Sequence, residues 1–125
     1  MAKVLLIEDN SDNLELMMYL LRAFGHEPLS ASDGESGIAT ARSERPQLIL
    51  CDVHLPGADG YAVARELKRD TDLRDIPVIA VTALAMVGDR EKVLAGGFDG
   101  YLSKPIDPEH FVGQIDQFLG AEERS

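Results

Sequence analysis

Apolar residues gather in five short runs along this chain: Val4 to Ile7, Glu27 to Ala31, Gln47 to Cys51, Pro77 to Val81 and Gly100 to Leu102. The first, third and fourth are apolar almost throughout, the pattern of a strand covered on both faces; the second is more polar and the fifth is brief. Pro77 suits the first position of its strand, where its missing N–H costs no ladder hydrogen bond. Between the runs, apolar positions fall into helical spacing. Leu14, Met17, Met18, Leu21 and Phe24 share one face of a first helix, which Asp12 with Glu15 would cap and Gly25 would end. Ser32-Asp33-Gly34-Glu35 opens a second helix that runs to about Arg42, with Ile38 and Ala41 inward and Pro46 beyond its end.

The segment Pro56-Gly57-Ala58-Asp59-Gly60 reads as a turn. A third helix follows over Tyr61 to Lys68, with Val63, Ala64 and Leu67 at core spacing. A fourth, roughly Met86 to Leu94, carries Gly88 near its start at a cost of about 1 kcal/mol and exits through Gly96-Gly97. Asp107-Pro108-Glu109 reads as N-cap, first-turn proline and first-turn acid of a last helix striped by Phe111, Ile115, Phe118 and Leu119. Strand and helix therefore alternate five times without repeat or linker. That alternation predicts an α/β domain with an open parallel sheet and helices on both faces.

Length and composition narrow the picture. A chain of 125 residues encloses one core and not two, so a single domain over 1–120 is expected, with a short disordered tail over 121–125. Hydrophobic residues at 45% and charged residues at 27% favour a folded globular protein. The 22 acidic against 12 basic residues give a net charge of −10, which repels polyanions and disfavours nucleic acid and anionic membranes as partners. Solubility alone accounts for such acidity equally well. No stretch approaches a membrane span and none reads as a signal peptide. The lone Cys51 lies inside an apolar run, where a buried structural thiol is expected; it has no partner for an internal disulfide, and the reducing cytoplasm is the natural compartment.

The chemistry lies where the strands end. Glu8-Asp9, Asp52, Thr82 and Lys104-Pro105 each follow or close an apolar run, and strand ends on one edge of a parallel sheet converge in space. Glu8, Asp9 and Asp52 brought together repel one another unless a counter-charge joins them. An oxygen-only donor set in an open site favours Mg²⁺, with Mn²⁺ as its usual substitute, over zinc. Lys104 can pair with a carboxylate or phosphoryl oxygen and the Thr82 hydroxyl can donate to another. Asp52, placed centrally beside a cation and a lysine, has what a nucleophile on phosphorus requires.

The motifs Ile7-Glu8-Asp9-Asn10, Cys51-Asp52-Val53-His54-Leu55-Pro56-Gly57, Val81-Thr82-Ala83 and Tyr101-Leu102-Ser103-Lys104-Pro105, in this order and each at a strand end, resemble the receiver domain of two-component signalling. The resemblance covers nearly the whole chain. It implies a flavodoxin-like (βα)5 fold with strand order 2-1-3-4-5. It further implies that Asp52 accepts a phosphoryl group from a phosphohistidine on a sensor histidine kinase or histidine phosphotransfer protein. Asp9 and Asp52 would bind Mg²⁺ through their side chains, and His54 through its backbone carbonyl. Glu8 stands where an aspartate is commoner, so direct ligation and ligation through water both stay open. In such domains the residue at Thr82 moves toward the phosphoryl group and the aromatic at Tyr101 changes rotamer, remodelling the face of the fourth helix, fifth strand and fifth helix for a downstream protein. A cis Lys104-Pro105 peptide is also implied.

Read without the family, Tyr101 is a core-edge aromatic, and Leu84, Met86 and Val87 are either core or a docking cluster. The His54 imidazole sits at the pocket rim, where it can tune phosphoryl lifetime, while His26 and His110 read as ordinary surface residues. The stretch Val81 to Asp89, with Gly96-Gly97 and Ser103-Lys104-Pro105-Ile106, is similar to stand-alone receivers of the DivK type and also resembles receivers fused to hybrid kinases. The expected activity is therefore a phosphorylation-controlled interaction module, monomeric or dimerising on phosphorylation, and not an enzyme on an outside substrate. Two rivals remain: a phosphatase of the haloacid-dehalogenase kind, which places its nucleophile after the first strand and a second aspartate two residues on, and a degenerate receiver that binds without phosphorylation.

Overall fold

The computed structural model describes residues 2–55, 58–83 and 87–119. Its strands are β1 (Lys3–Ile7), β2 (Glu27–Ala31), β3 (Leu48–Asp52), β4 (His54–Leu55), β5 (Ala58–Asp59), β6 (Val78–Thr82) and β7 (Gly100–Ser103). Its helices are α1 (Ser11–Ala23), α2 (Gly34–Glu44), α3 (Gly60–Arg69), α4 (Val87–Ala95) and α5 (Phe111–Phe118). Five strands form one sheet in the order β2-β1-β3-β6-β7, and every neighbouring pair is parallel. Counting only these five, the order is the expected 2-1-3-4-5. The flavodoxin-like fold is therefore present.

Alternate residues of each strand face opposite ways, and this divides the core into two layers. Val4, Leu6, Leu48, Leu50, Ile79, Val81 and Leu102 pack with Met17 and Leu21 of α1 and Phe111 and Ile115 of α5. Leu5, Ile7, Ile49, Cys51, Val78 and Ala80 pack with Ile38 and Ala41 of α2, Val63, Ala64 and Leu67 of α3 and Val93 of α4. The unbroken apolar runs of β1, β3 and β6 are thus those of strands covered on both faces. Cys51 is fully buried; burial, and after it the neighbouring Asp52 and Glu8 charges, push its thiol far above the usual range, so it is inert.

Several local expectations change. Asn10, not Asp12, caps α1: its backbone is extended and its side chain accepts the Asn13 N–H at 2.9 Å, whereas Asp12 already lies in the first turn. Phe24 is the C-cap residue and stands 52% exposed, because the helical spacing that placed it inward no longer applies beyond Ala23. The predicted turn after β3 contains a two-stranded antiparallel ribbon, β4 with β5, in which His54 faces Asp59 and Leu55 faces Ala58. Helix α5 begins at Phe111 rather than beside Asp107. Asp107 instead organises the preceding turn: its carboxylate accepts the Glu109 N–H, and its carbonyl accepts those of His110 and Phe111.

His26 corrects the reading of a surface histidine. It is 4% exposed because the α1–β2 connection folds it under the N-terminal strand, where Nδ1 accepts the Ala2 N–H at 3.1 Å and Nε2 lies 3.8 Å from Asp116. His110 is exposed as expected and pairs with Asp107. The tail over 121–125 and the apolar residues Leu84 and Met86 lie outside the described residues, as does the side chain of Val87.

Candidate functional site

Register builds the site. Ile7 is level with Cys51, so Glu8 and Asp52 emerge side by side, and Asp52 is in turn level with Val81. Thr82 is level with Ser103, and the Thr82 carbonyl accepts the Lys104 N–H at 2.8 Å, which carries Lys104 to the same edge. The Lys104–Pro105 peptide is cis. Asp9, exposed at the head of the loop before α1, completes the cluster: one carboxylate oxygen from each of Glu8, Asp9 and Asp52 lies within 4.8 Å of the others.

Asp52 and Glu8 are both buried, at 5% and 2% exposure. The Lys104 ammonium reaches 2.8 Å from Asp52 Oδ2 and 3.1 Å from Glu8 Oε1. Asp52 Oδ1 accepts the His54 N–H at 2.9 Å, and Glu8 Oε2 accepts that of Asn10 at 3.2 Å. These contacts part the two carboxylates. Burial, and then the hydrogen bond and charge of Asp52, push Glu8 up to about 7. Burial acts on Asp52 in the same sense, but hydrogen bonds from Glu8, Lys104 and the His54 amide outweigh it and hold Asp52 below its ordinary value. Lys104 is held above its ordinary value because Asp52 and Glu8 outweigh its own desolvation. Like charges this close demand a counter-charge, and Lys104, within reach of both carboxylates, supplies it while Asp52 is the member held down and Glu8 the one pushed up.

The donor set fits a hard divalent cation. It consists of carboxylate oxygens alone, as Mg²⁺ and Mn²⁺ prefer. Glu8 Oε1 is moreover buried without a hydrogen-bond donor, although an ion pair to Lys104 lies beside it. A buried carboxylate oxygen left in this way is costly unless charge is brought to it.

A model of the response regulator receiver domain matches residues 4–116. The chain belongs to this family. Its relatives include the polar-differentiation response regulator DivK of Brucella anthropi, 44% identical over 94% of this chain and 95% of that protein. The receiver domain of the sensor histidine kinase PA1611 from Pseudomonas aeruginosa, 34% identical, superposes with a TM-score of 0.87 over 96% of this chain and 98% of its own; that structure has a magnesium ion coordinated in its active-site cleft. The Mn²⁺-bound form of response regulator Rcp1, 27% identical, superposes with a TM-score of 0.76 over 92% of this chain and 89% of its own.

Within this receiver, Glu8, Asp9, Asp52, Thr82 and Lys104 come to one edge as the sequence predicts. The Thr82 residue is buried and the Tyr101 ring packs half-buried against the layer of α2, α3 and α4. His54 contributes its backbone amide to Asp52, while its exposed ring lies at the rim.

Gly60 was missed. The first residue of α3, it donates its N–H to the Val53 carbonyl at 2.7 Å, and a Cβ built on it would collide with the Asp52 carbonyl oxygen and lie 2.8 Å from Val53 Cα. In the sequence it reads as one more glycine of a turn. Only the fold shows that it admits α3 against the backbone of Asp52.

Proposed function

We propose that this receiver takes a phosphoryl group from a phosphohistidine onto Asp52 and signals through phosphorylation-dependent protein–protein interaction. The observation that carries the reading is the state of Asp52: a buried carboxylate at a strand end, kept ionised, with Lys104 on one oxygen and the His54 amide on the other. A carboxylate oxygen of Asp52 forms the O–P bond as the N–P bond of the phosphohistidine breaks, its electron pair leaving with the imidazole nitrogen. Lys104 neutralises charge on one phosphoryl oxygen and the Thr82 hydroxyl donates to another. Asp9, Asp52, the His54 backbone carbonyl and Glu8, directly or through water, would hold Mg²⁺ or Mn²⁺. The ion would supply positive charge to the transferring group.

The phosphoryl donor is a sensor histidine kinase or a histidine phosphotransfer protein, and the chain is a cytoplasmic phosphoacceptor that assists only its own phosphorylation and dephosphorylation. Thr82 and Tyr101 transmit the change to the face of α4, β7 and α5, where a downstream protein docks on a monomer or a phosphorylation-dependent dimer. The likeness to DivK over nearly the full length of both chains supports placing it with single-domain regulators. Among the described residues, no helix is long and apolar enough to cross a membrane. The phosphatase rival is disfavoured because Asp52 ends β3 and Glu8-Asp9 follow β1, the reverse of what that chemistry requires.

Incubation with Mg²⁺ and acetyl phosphate is expected to add one phosphoryl group, measured by intact mass. Asp52→Asn is expected to abolish the gain and EDTA to suppress it. An unchanged gain in Asp52→Asn refutes the assignment, and multiple turnover of an outside phosphate ester would favour a phosphatase.

A further inference from the structure

A groove of about 660 Å³ lies beside the phosphoacceptor, between the β3–α3 connection and α4, lined among others by Val53, His54, Tyr61, Arg65, Lys92 and Gly96. Its floor is fixed: Tyr61 packs edge-on to Phe98 with ring centroids 5.6 Å apart, and Gly96 leaves no room for a Cβ against the Tyr61 ring. Its walls are cationic. Arg65 projects from α3 and Lys92 from α4, both exposed, and His54 stands at the end nearest Asp52.

On a chain with a net charge of −10, two cations meet at this one groove. Elsewhere Lys3, Arg42, Arg45, Lys68 and Lys104 are each paired with a carboxylate, while Arg22, Arg69 and Arg74 stand apart on the surface without an ion pair among the described residues. Arg65 forms no ion pair among the described residues, and Lys92 only overhangs the Tyr61 ring at 5.9 Å. Among the described residues that line the groove the one carboxylate, Asp59, is committed to the α3 N-terminus, where it accepts the Ala62 N–H at 2.7 Å.

We propose that this groove is a docking site for an acidic segment of a protein partner, read by Arg65 and Lys92. Charge complementarity selects the occupant. The cations sit on facing helices on long flexible stems, an arrangement that meets carboxylates spaced along a chain. On the groove floor Lys92 overhangs Tyr61 and Phe98 is buried, so neither ring offers an open face to a planar nucleotide base. Val53 and His54 form both the groove's end and the connection leaving Asp52, so a seated segment bears directly on the phosphorylation site. The inference rests on the reading of Asp52 above and adds a second contact surface to it.

The test uses the full chain, an octaglutamate peptide as probe, and NMR amide shifts with inorganic pyrophosphate as a comparison. Shifts are expected at Val53, His54, Tyr61, Arg65, Lys92 and Gly96. Binding should weaken roughly tenfold in the Arg65→Glu, Lys92→Glu double variant. It should also weaken as salt rises from about 0.01 to about 0.15 M, where the screening length falls from about 30 to about 8 Å. Shifts elsewhere, equal affinity in the double variant, or tighter binding of pyrophosphate in the groove would each overturn the proposal. The double variant should still gain a phosphoryl group from acetyl phosphate, so loss of peptide binding with uptake intact concerns the groove alone. Loss of uptake in Asp52→Asn with peptide binding intact leaves the groove standing.

Discussion

Two carboxylates of one pocket, Glu8 and Asp52, are shifted in opposite directions: burial dominates at Glu8, and hydrogen bonds outweigh burial at Asp52. Asp52 receives a lysine and a backbone amide on its two oxygens, while Glu8 keeps one buried oxygen without a hydrogen-bond donor. The sequence revealed both acids but not this division, which depends on where Lys104 and the His54 amide arrive. Gly60 belongs to the same scale. Gly60→Ala inserts a methyl against the Asp52 carbonyl and Val53, and must displace the backbone that presents the nucleophile. It is expected to slow phosphoryl uptake from acetyl phosphate by roughly tenfold or more, since small misplacements of reacting groups are costly. Intact-mass time courses measured well below the variant's Tm separate that effect from lost stability. Uptake at the native rate would show that Gly60 serves packing alone.

At the scale of elements, what holds β6 and β7 in place is partly polar. Lys68 of α3 donates to the carbonyls of Arg74 and Ile76 and to Asp99 Oδ2, at 3.1, 3.0 and 2.6 Å. Asp99 Oδ2 also accepts the Val78 N–H at 2.8 Å. One ammonium thus ties α3, the loop before β6 and the entry to β7. Lys68→Met takes the ammonium from both carbonyls and leaves Asp99 Oδ2 with the Val78 N–H, and is expected to cost about 1–3 kcal/mol, read as a lower urea midpoint with phosphoryl uptake preserved. The periodicity found every helix, yet capping depended on contacts it does not encode. Asp33 caps α2 as its sequence pattern suggests, whereas at α1 the capping role passed to Asn10, one of several polar residues that match a cap equally well.

For the whole molecule, the sheet separates two apolar layers, and Phe111 at 0% exposure lies in the layer shared by α1 and α5. Phe111→Ala should destabilise the chain by about 3–5 kcal/mol through lost burial and the cavity left behind, measured by thermal or denaturant unfolding. The same layer supports the α5 part of the face to which we assign partner binding. A native unfolding midpoint in this variant would mean that α5 contributes little to the core. Its apolar stripe was visible beforehand, although Phe111 begins the helix instead of following a proline-led first turn.

The sequence by itself determined the alternation of strands and helices, the two-faced burial of β1, β3 and β6, and the chemical types gathered at the strand ends. Periodicity and strand-end position are local properties, and local properties are written in the order of residues. Tertiary structure alone decided which carboxylate is pushed up and which is held down, that His26 is buried, that Gly60 admits α3 to the backbone of Asp52, and that Arg65 and Lys92 face one groove. Each of these depends on burial and on contacts between distant segments, including the meeting of Glu8, Asp52 and Lys104. Desolvation and charge pairing act through space, and that geometry exists only once the sheet has assembled.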